Sequence, residues 1–201
     1  GVADGPHSLT AVGTETLGSF LVTTPQGHIL INTDYERNNA VIRDSVAKLG
    51  FRFEDIKIIL GSHAHGDHME GDALAKQQSG AQVMAMAEDV PGLQAMRPGG
   101  KEHPIDRILH DGEQVKLGDM TLTALLTPGH TDGCTSWTMK VQEGGRTYDV
   151  LVIGSMGVNA GTNLAANRIA QYRQGFKLLH AQHVDVPLGS HARNDRAHGR
   201  M

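Results

Sequence analysis

The chain is 201 residues long, 39% hydrophobic and 20% charged, with 25 Gly, 7 Pro and one Cys. This length can bury a substantial interior, and a formal net charge of −4 leaves no basic footprint for nucleic acid or an anionic membrane surface. The composition excludes disordered, collagen-like and coiled-coil classes, and the longest apolar stretches, such as Ile56–Leu60 around Lys57, fall far short of a membrane span.

Along the chain, Leu17–Thr24 reads as a strand, and Gln26-Gly27 turns into a second strand over His28–Asp34. Apolar residues at helical spacing predict a helix over Asn38–Leu49, stopped by Gly50. Ile56–Leu60 is a short apolar run followed by turn signals, so a buried strand is expected, delivering the polar loop Gly61–His68. Gly71–Ser79 reads as helix and Ala81–Ala85 as extended. Gly92, Pro98, Gly99 and Gly100 mark Pro91–Pro104 as a mobile surface loop. From Ile105 the texture turns β-like. Val115–Leu117, Met120–Leu126, Thr135–Val141 and Tyr148–Gly154 are predicted strands, the last two joined as a hairpin through Glu143–Arg146. Asn167–His180 is a predicted helix and Val184–Leu188 a final strand. Helices interrupt strands in both halves, which predicts a layered α/β fold without an interdomain linker.

Twelve histidines stand against 4 Phe, 3 Tyr and 1 Trp, a bias toward metal chemistry because imidazole is a common transition-metal ligand. Four candidate ligands, His63, His65, Asp67 and His68, fall within six residues. In extended backbone His63 and His65 point the same way, and Gly66 lets the chain turn so that Asp67 and His68 aim at a neighbouring point. Imidazoles with a carboxylate suit zinc and also admit iron or manganese. Two more histidines emerge behind turns at the ends of apolar strands: His130 after Thr127-Pro128-Gly129, and His191 after Gly189-Ser190. Strand ends of this kind are where sheet-borne sites assemble. These residues make two sets of three. His7, His28, His103, His110, His180 and His198 read as ordinary peripheral or helical histidines, and His183 as structural. Cys134, the one cysteine, leaves the redox compartment undecided.

The pattern His63-x-His65-x-Asp67-His68, with His130 after Thr-Pro-Gly and a late His191, resembles the metallo-β-lactamase superfamily signature across nearly the whole chain. The resemblance implies an α/β fold of the αββα sandwich type, with the metals at the edge where two sheets meet. It implies one domain over residues 1–201 that lacks terminal segments, since the family continues past its last ligand into a helix and Ala192–Met201 is too short and polar for one. Most hydrolases of the superfamily, glyoxalase II-like thioesterases and lactonases included, carry a bridging aspartate just after a late buried strand. Here Val150–Ile153 is followed by Gly154-Ser155-Met156-Gly157. Ser155 at that position, with His63 intact, is similar to class B β-lactamases of subclass 3, as is the stretch His130–Trp137. The first subclass uses cysteine there, and the second replaces the first motif histidine with asparagine. Gly157 departs from the second serine that subclass 3 often carries.

By this resemblance His63, His65 and His130 bind one zinc ion, and Asp67, His68 and His191 bind a second. The implied reaction is hydrolysis of the β-lactam amide bond by a metal-bound hydroxide, conferring β-lactam resistance. Asp67 would orient the nucleophile, Ser155 would hydrogen-bond the substrate carboxylate, and Cys134 would be a small structural neighbour. Zinc makes hydroxide available near neutral pH, so no acyl-enzyme is needed, and no Ser-x-x-Lys motif is present to form one. The implied partner is a small-molecule β-lactam, with no nucleic acid or membrane, for a monomer of the bacterial periplasm or a secreted one. The alternative is a related dinuclear metallohydrolase acting on lactones, thioesters or phosphoesters. A non-catalytic metal-binding scaffold is a third reading, because a fold by itself does not fix chemistry.

Overall fold

Strands buried at nearly every position need cover on both faces, and two sheets packed face to face supply it. The computed structural model describes residues 8–159 and 161–191. The first sheet has the spatial order β1 (Ser8–Ala11), β2 (Phe20–Thr24), β3 (Gly27–Ile31), β4 (Ile56–Leu60), β5 (Gln82–Met86), β6 (Arg107–Leu109). Its first three strands are antiparallel and the rest run parallel. The second sheet comprises β7 (Gln114–Leu117), β8 (Met120–Leu126), β9 (Thr135–Glu143), β10 (Arg146–Ile153) and β11 (Val186–Gly189), side by side in that order. Only β10 and β11 are parallel.

Alternate side chains divide β2, β3, β4 and β5 between two cores. Ile29, Ile31, Ile58 and Leu60 face the second sheet and pack with Leu122, Ala124, Trp137 and Val152. Leu30, Ile56 and Ile59 face outward and pack with Ile42 and Val46 of α1 (Asn39–Lys48). A one-turn helix, α2 (Gly66–Met69), precedes α3 (Asp72–Ser79), which adds Ala75 to the same outer core. α4 (Val90–Met96) follows β5, and α5 (Ala166–His180) is the crossover between parallel β10 and β11. With sheet faces inward and helices outside, the chain forms the αββα sandwich. Trp137 is fully buried, and its Nε1–H donates to the Gly61 carbonyl (3.1 Å), tying β9 to the loop that follows β4. Among the described residues, no helix is long and apolar enough to cross a membrane.

Several sequence expectations are corrected. Pro91–Pro104 is not a surface loop: α4 occupies its first part, and Leu93 is fully buried with Met69 and Ala85. Pro91 falls in the first helical turn, where its missing N–H costs nothing, and Arg97 ends the helix at φ 44°. The predicted strand from Leu17 starts at Phe20, and the one from His28 stops at Ile31, because Asn32 and Asp34 take positive φ. Strands β1 and β6, both edge strands of three or four residues, have no counterpart in the sequence reading. His7, His198 and the tail Ala192–Met201 lie outside the described residues.

His103 is neither peripheral nor helical. Its side chain and that of Asp72 are both fully buried, with Nε2 3.2 Å from the Asp72 carboxylate. Nε2 also faces the Met69 carbonyl at 3.1 Å, and Nδ1 faces the Pro104 carbonyl at 3.0 Å. Only an imidazolium can donate from both nitrogens. Burial opposes that charge, but the Asp72 hydrogen bond and charge, with the two carbonyls, outweigh it and raise the His103 pKa.

Candidate metal centre

The histidine loop leaves β4 with its backbone fixed from several sides. Asn32 accepts from the Ser62 N–H (2.9 Å) and donates to the Gly18 carbonyl (3.0 Å). The Thr135 N–H donates to the Ser62 carbonyl at 2.7 Å. Convergence of His63 and His65 does not come from strand alternation. The His65 N–H donates back to the His63 carbonyl at 2.8 Å, a three-residue turn. Gly66 then opens α2 rather than an irregular turn, so Asp67 and His68 sit on a single helical turn entered from extended His65. Both Thr33 and Asp34 donate their N–H groups to the His68 carbonyl (2.8 and 3.2 Å).

Each distant histidine is brought in by its own device. Gly129, at φ 139°, turns the chain after β8, and a Cβ there would lie 2.6 Å from the Tyr172 ring. His130 follows; its Nδ1 lies 2.7 Å from the Gly157 carbonyl, which only accepts, so a neutral ring carries its lone pair on Nε2. That Nε2 lies 3.1 Å from His65 Nδ1. At the other end, His191 forms a bridge with Leu17, the Gly18 N–H donates to the Ser190 carbonyl (2.8 Å), and the Ser190 hydroxyl donates to the Ile153 carbonyl (2.8 Å). His191 Nε2 stands 3.2 Å from His68 Nε2 and 3.7 Å from the Asp67 carboxylate. All six residues singled out in the sequence are therefore gathered at one edge of the sandwich.

Two groupings emerge. Ligand atoms of His63, His65 and His130 lie within 4.8 Å of one another, as do those of His63, Asp67 and His68. His63 is central: its ring centroid lies 4.1 Å from that of His68 and 4.5 Å from that of His130. Its Nδ1 contacts the Ser62 hydroxyl at 3.1 Å, while its Nε2 is buried without a partner. Burial, reinforced by the surrounding imidazoles, holds the His63 pKa well below its ordinary value. His65 and His191 are lowered as well, first by burial. Burial alone would raise the Asp67 carboxyl, but the hydrogen bond and charge of His68 outweigh it and hold it at about 2. The lowered imidazoles of His63, His65 and His191 and the ionised Asp67 carboxylate favour the protonation states that bind a cation. The orphaned Nε2 and the imidazole nitrogens facing each other at 3.1 and 3.2 Å fit metal ions held by these side chains.

Ser155 follows β10, and its Oγ accepts the Gly157 N–H at 3.3 Å. Cys134 is fully buried, its S–H donating to the Ser155 carbonyl (3.4 Å). Burial pushes the thiol pKa up to about 12, so it stays a neutral thiol. His183 is exposed beside Asp149 and Asp185, but those carboxylates already meet Lys140 and Arg146. Sequence reasoning missed two buried carboxylates near the histidines. Asp34 accepts from the Ser19 hydroxyl at 2.7 Å, and Asp89 accepts from Ala64, Thr131 and Gly133. Only the polar run Asn32-Thr33-Asp34 closing an apolar strand hinted at the first.

The fold is an α/β sandwich with candidate metal ligands gathered at one edge, and residues 16–147 match the metallo-beta-lactamase superfamily. The chain belongs to that superfamily. Among solved structures it is similar to the native FEZ-1 metallo-beta-lactamase from Legionella gormanii, with 42% identity and a TM-score of 0.86 over 96% of this chain and 82% of that one. It is likewise similar to BJP-1, a subclass B3 metallo-beta-lactamase of Bradyrhizobium japonicum, with 35% identity and a TM-score of 0.83 over 99% of this chain and 84% of that one. Within the superfamily, subclass B3 is thus the branch it most resembles. Among curated relatives, a hydroxyacylglutathione hydrolase from Cereibacter sphaeroides is 37% identical over 75 residues, which is 37% of this chain and 26% of that protein. The chain spans about a quarter to a half of the curated relatives it matches.

Proposed function

We propose that the protein is a zinc-dependent β-lactamase that opens the lactam amide, with His63, His65 and His130 holding one zinc ion and Asp67, His68 and His191 the other. The observation that carries this reading is that His63, with its buried partnerless Nε2, belongs both to the His65–His130 grouping and to the Asp67–His68 grouping, beside which His191 stands 3.2 Å from His68. Likeness to two metallo-β-lactamases over more than four-fifths of their lengths supports it. Bound zinc would supply Lewis acidity and lower the pKa of a coordinated water toward neutrality. The Asp67 carboxylate, ionised well below neutral pH, would help hold the second ion, balance its charge and orient the attacking water. His130 is fixed as the Nδ1–H tautomer by the Gly157 carbonyl, a neighbour that orients a ligand ring. Ser155, just after β10, would donate its O–H to the substrate carboxylate. Hydrolysis of a chromogenic cephalosporin should be abolished by a chelator and restored by added zinc; turnover that ignores the chelator would refute the proposal.

A thioesterase reading draws on the hydroxyacylglutathione hydrolase match. Against it stands Ser155, in the place where those relatives are expected to carry a bridging aspartate. Assaying a hydroxyacyl-glutathione thioester beside the cephalosporin separates the two, and faster thioester turnover would favour the second. Ser155→Ala should raise KM for β-lactams about tenfold, the worth of one hydrogen bond to a charged group, with kcat largely kept. An unchanged KM across several β-lactams would remove Ser155 from the substrate site.

A further inference from the structure

Asp89 ends the short turn after β5 and occupies the N-cap position of α4, yet its side chain makes no cap hydrogen bond there. An aspartate at an N-cap usually satisfies its own helix and is worth about 1 kcal/mol in doing so. Here the carboxylate, on a residue only 5% exposed, turns away to the loops that carry two histidines. Oδ2 accepts the N–H of Ala64, the residue between His63 and His65, at 2.8 Å. The same oxygen accepts the hydroxyl of Thr131, the residue after His130, at 2.9 Å. Oδ1 accepts the Gly133 N–H at 2.8 Å. The contact is close-packed, since a Cβ on Gly133 would lie 2.5 Å from the Asp89 nitrogen and 2.7 Å from its carboxyl carbon.

One buried carboxylate therefore clamps two loops that are 65 residues apart at the 3.1 Å approach of His65 Nδ1 to His130 Nε2. We infer that Asp89 is a positioning residue for the three-histidine metal site, setting the separation of His65 and His130 and leaving the Asp67–His68–His191 set untouched. The inference rests on the metal-centre reading above. It goes beyond that reading because Asp89 belongs to neither grouping of candidate ligands and is identified only by the loops it joins. Removing a partner that orients metal ligands typically costs ten- to a hundredfold in affinity, and the cost should fall on one site alone.

The test isolates each site in the full-length chain and reads zinc affinity by competition with a chromophoric chelator. His191→Ala keeps the three-histidine set, and His130→Ala keeps the other. Asp89→Asn, which replaces one acceptor oxygen with a donor facing the Gly133 N–H, should raise the zinc Kd about ten- to a hundredfold in the first background. In the second background the Kd should stay within about threefold. Thr131→Val removes only the hydroxyl donor and is nearly isosteric, so it tests the same clamp should Asp89→Asn fail to fold; about a tenfold rise confined to the first background is expected. Equal weakening in both backgrounds would reduce Asp89 to a structural residue and overturn the inference, and so would no weakening in the first. If the parent protein takes up no zinc at all, the metal-centre reading falls first, an outcome visible before any Asp89 variant is made.

Discussion

On the proposed zinc β-lactamase reading, His63→Ala is expected to strip zinc from the protein and lower β-lactam hydrolysis by more than about 100-fold, beyond the cost of losing a mere outer partner of a metal ligand. Its imidazole belongs to both groupings of candidate ligands, and at 1% exposure it lies beneath the rings of His65, His68 and His130. Its Nε2 is the one buried ring nitrogen of the three-histidine set left without a hydrogen-bond partner among the described residues. The fold should survive. The sheets are held by Leu60, Trp137 and Val152 and their neighbours, and burying a polar atom without a partner opposes folding rather than favouring it. Thermal unfolding of metal-free wild type and variant should therefore be close, while elemental analysis shows at least one zinc equivalent lost from the zinc-loaded variant. Full zinc content with wild-type turnover would contradict the ligand assignment.

What the sequence disclosed, and what it hid, follows from how far apart the interacting groups stand in the chain. Ile56–Leu60 matches β4 in full because a five-residue apolar run ending in Gly61-Ser62 has one economical reading. The motif histidines were legible because four candidate ligands share six residues, and His130 because a Thr-Pro-Gly turn announces a change of direction. Local backbone chemistry was less visible. The turn from His63 to His65 and the helical turn that carries Asp67 and His68 depend on hydrogen bonds set by the folded loop. The Gly and Pro content of Pro91–Pro104 concealed α4, since a proline in a first helical turn and a proline in a loop look alike without Leu93's buried partners. Asp89 was invisible for a plainer reason: its donors lie 25, 42 and 44 residues away. His103 was read as ordinary because its charge partner, Asp72, and its carbonyl acceptor on Met69 both lie about thirty residues back.

Asp72→Asn is expected to lower folding stability by about 3–5 kcal/mol, the usual cost of breaking a buried ion pair by removing one partner. The pair is dry, with no exposure of either side chain, so the screening that weakens surface pairs does not apply. Asp72 is also committed on its other oxygen, accepting the Thr33 hydroxyl at 2.6 Å, and Thr33 is one of the two residues whose N–H groups hold the His68 carbonyl. The effect should depend on pH with a definite sign. His103 has its folded pKa raised above the unfolded value of 6.5, so its contribution is complete below about pH 6.5 and is lost as pH rises through the folded pKa. Urea unfolding of wild type and Asp72→Asn across pH 5.5 to about 9 should therefore show the largest gap at the acid end, closing as His103 gives up its proton. A gap that is flat or grows with pH would mean His103 is not the charged partner. Because the imidazolium also donates to the carbonyl of Met69, at the end of the helical turn that bears Asp67 and His68, the variant should also loosen the zinc proposed for that set. The same substitution thereby links the stability of the sandwich to the geometry of its metal edge.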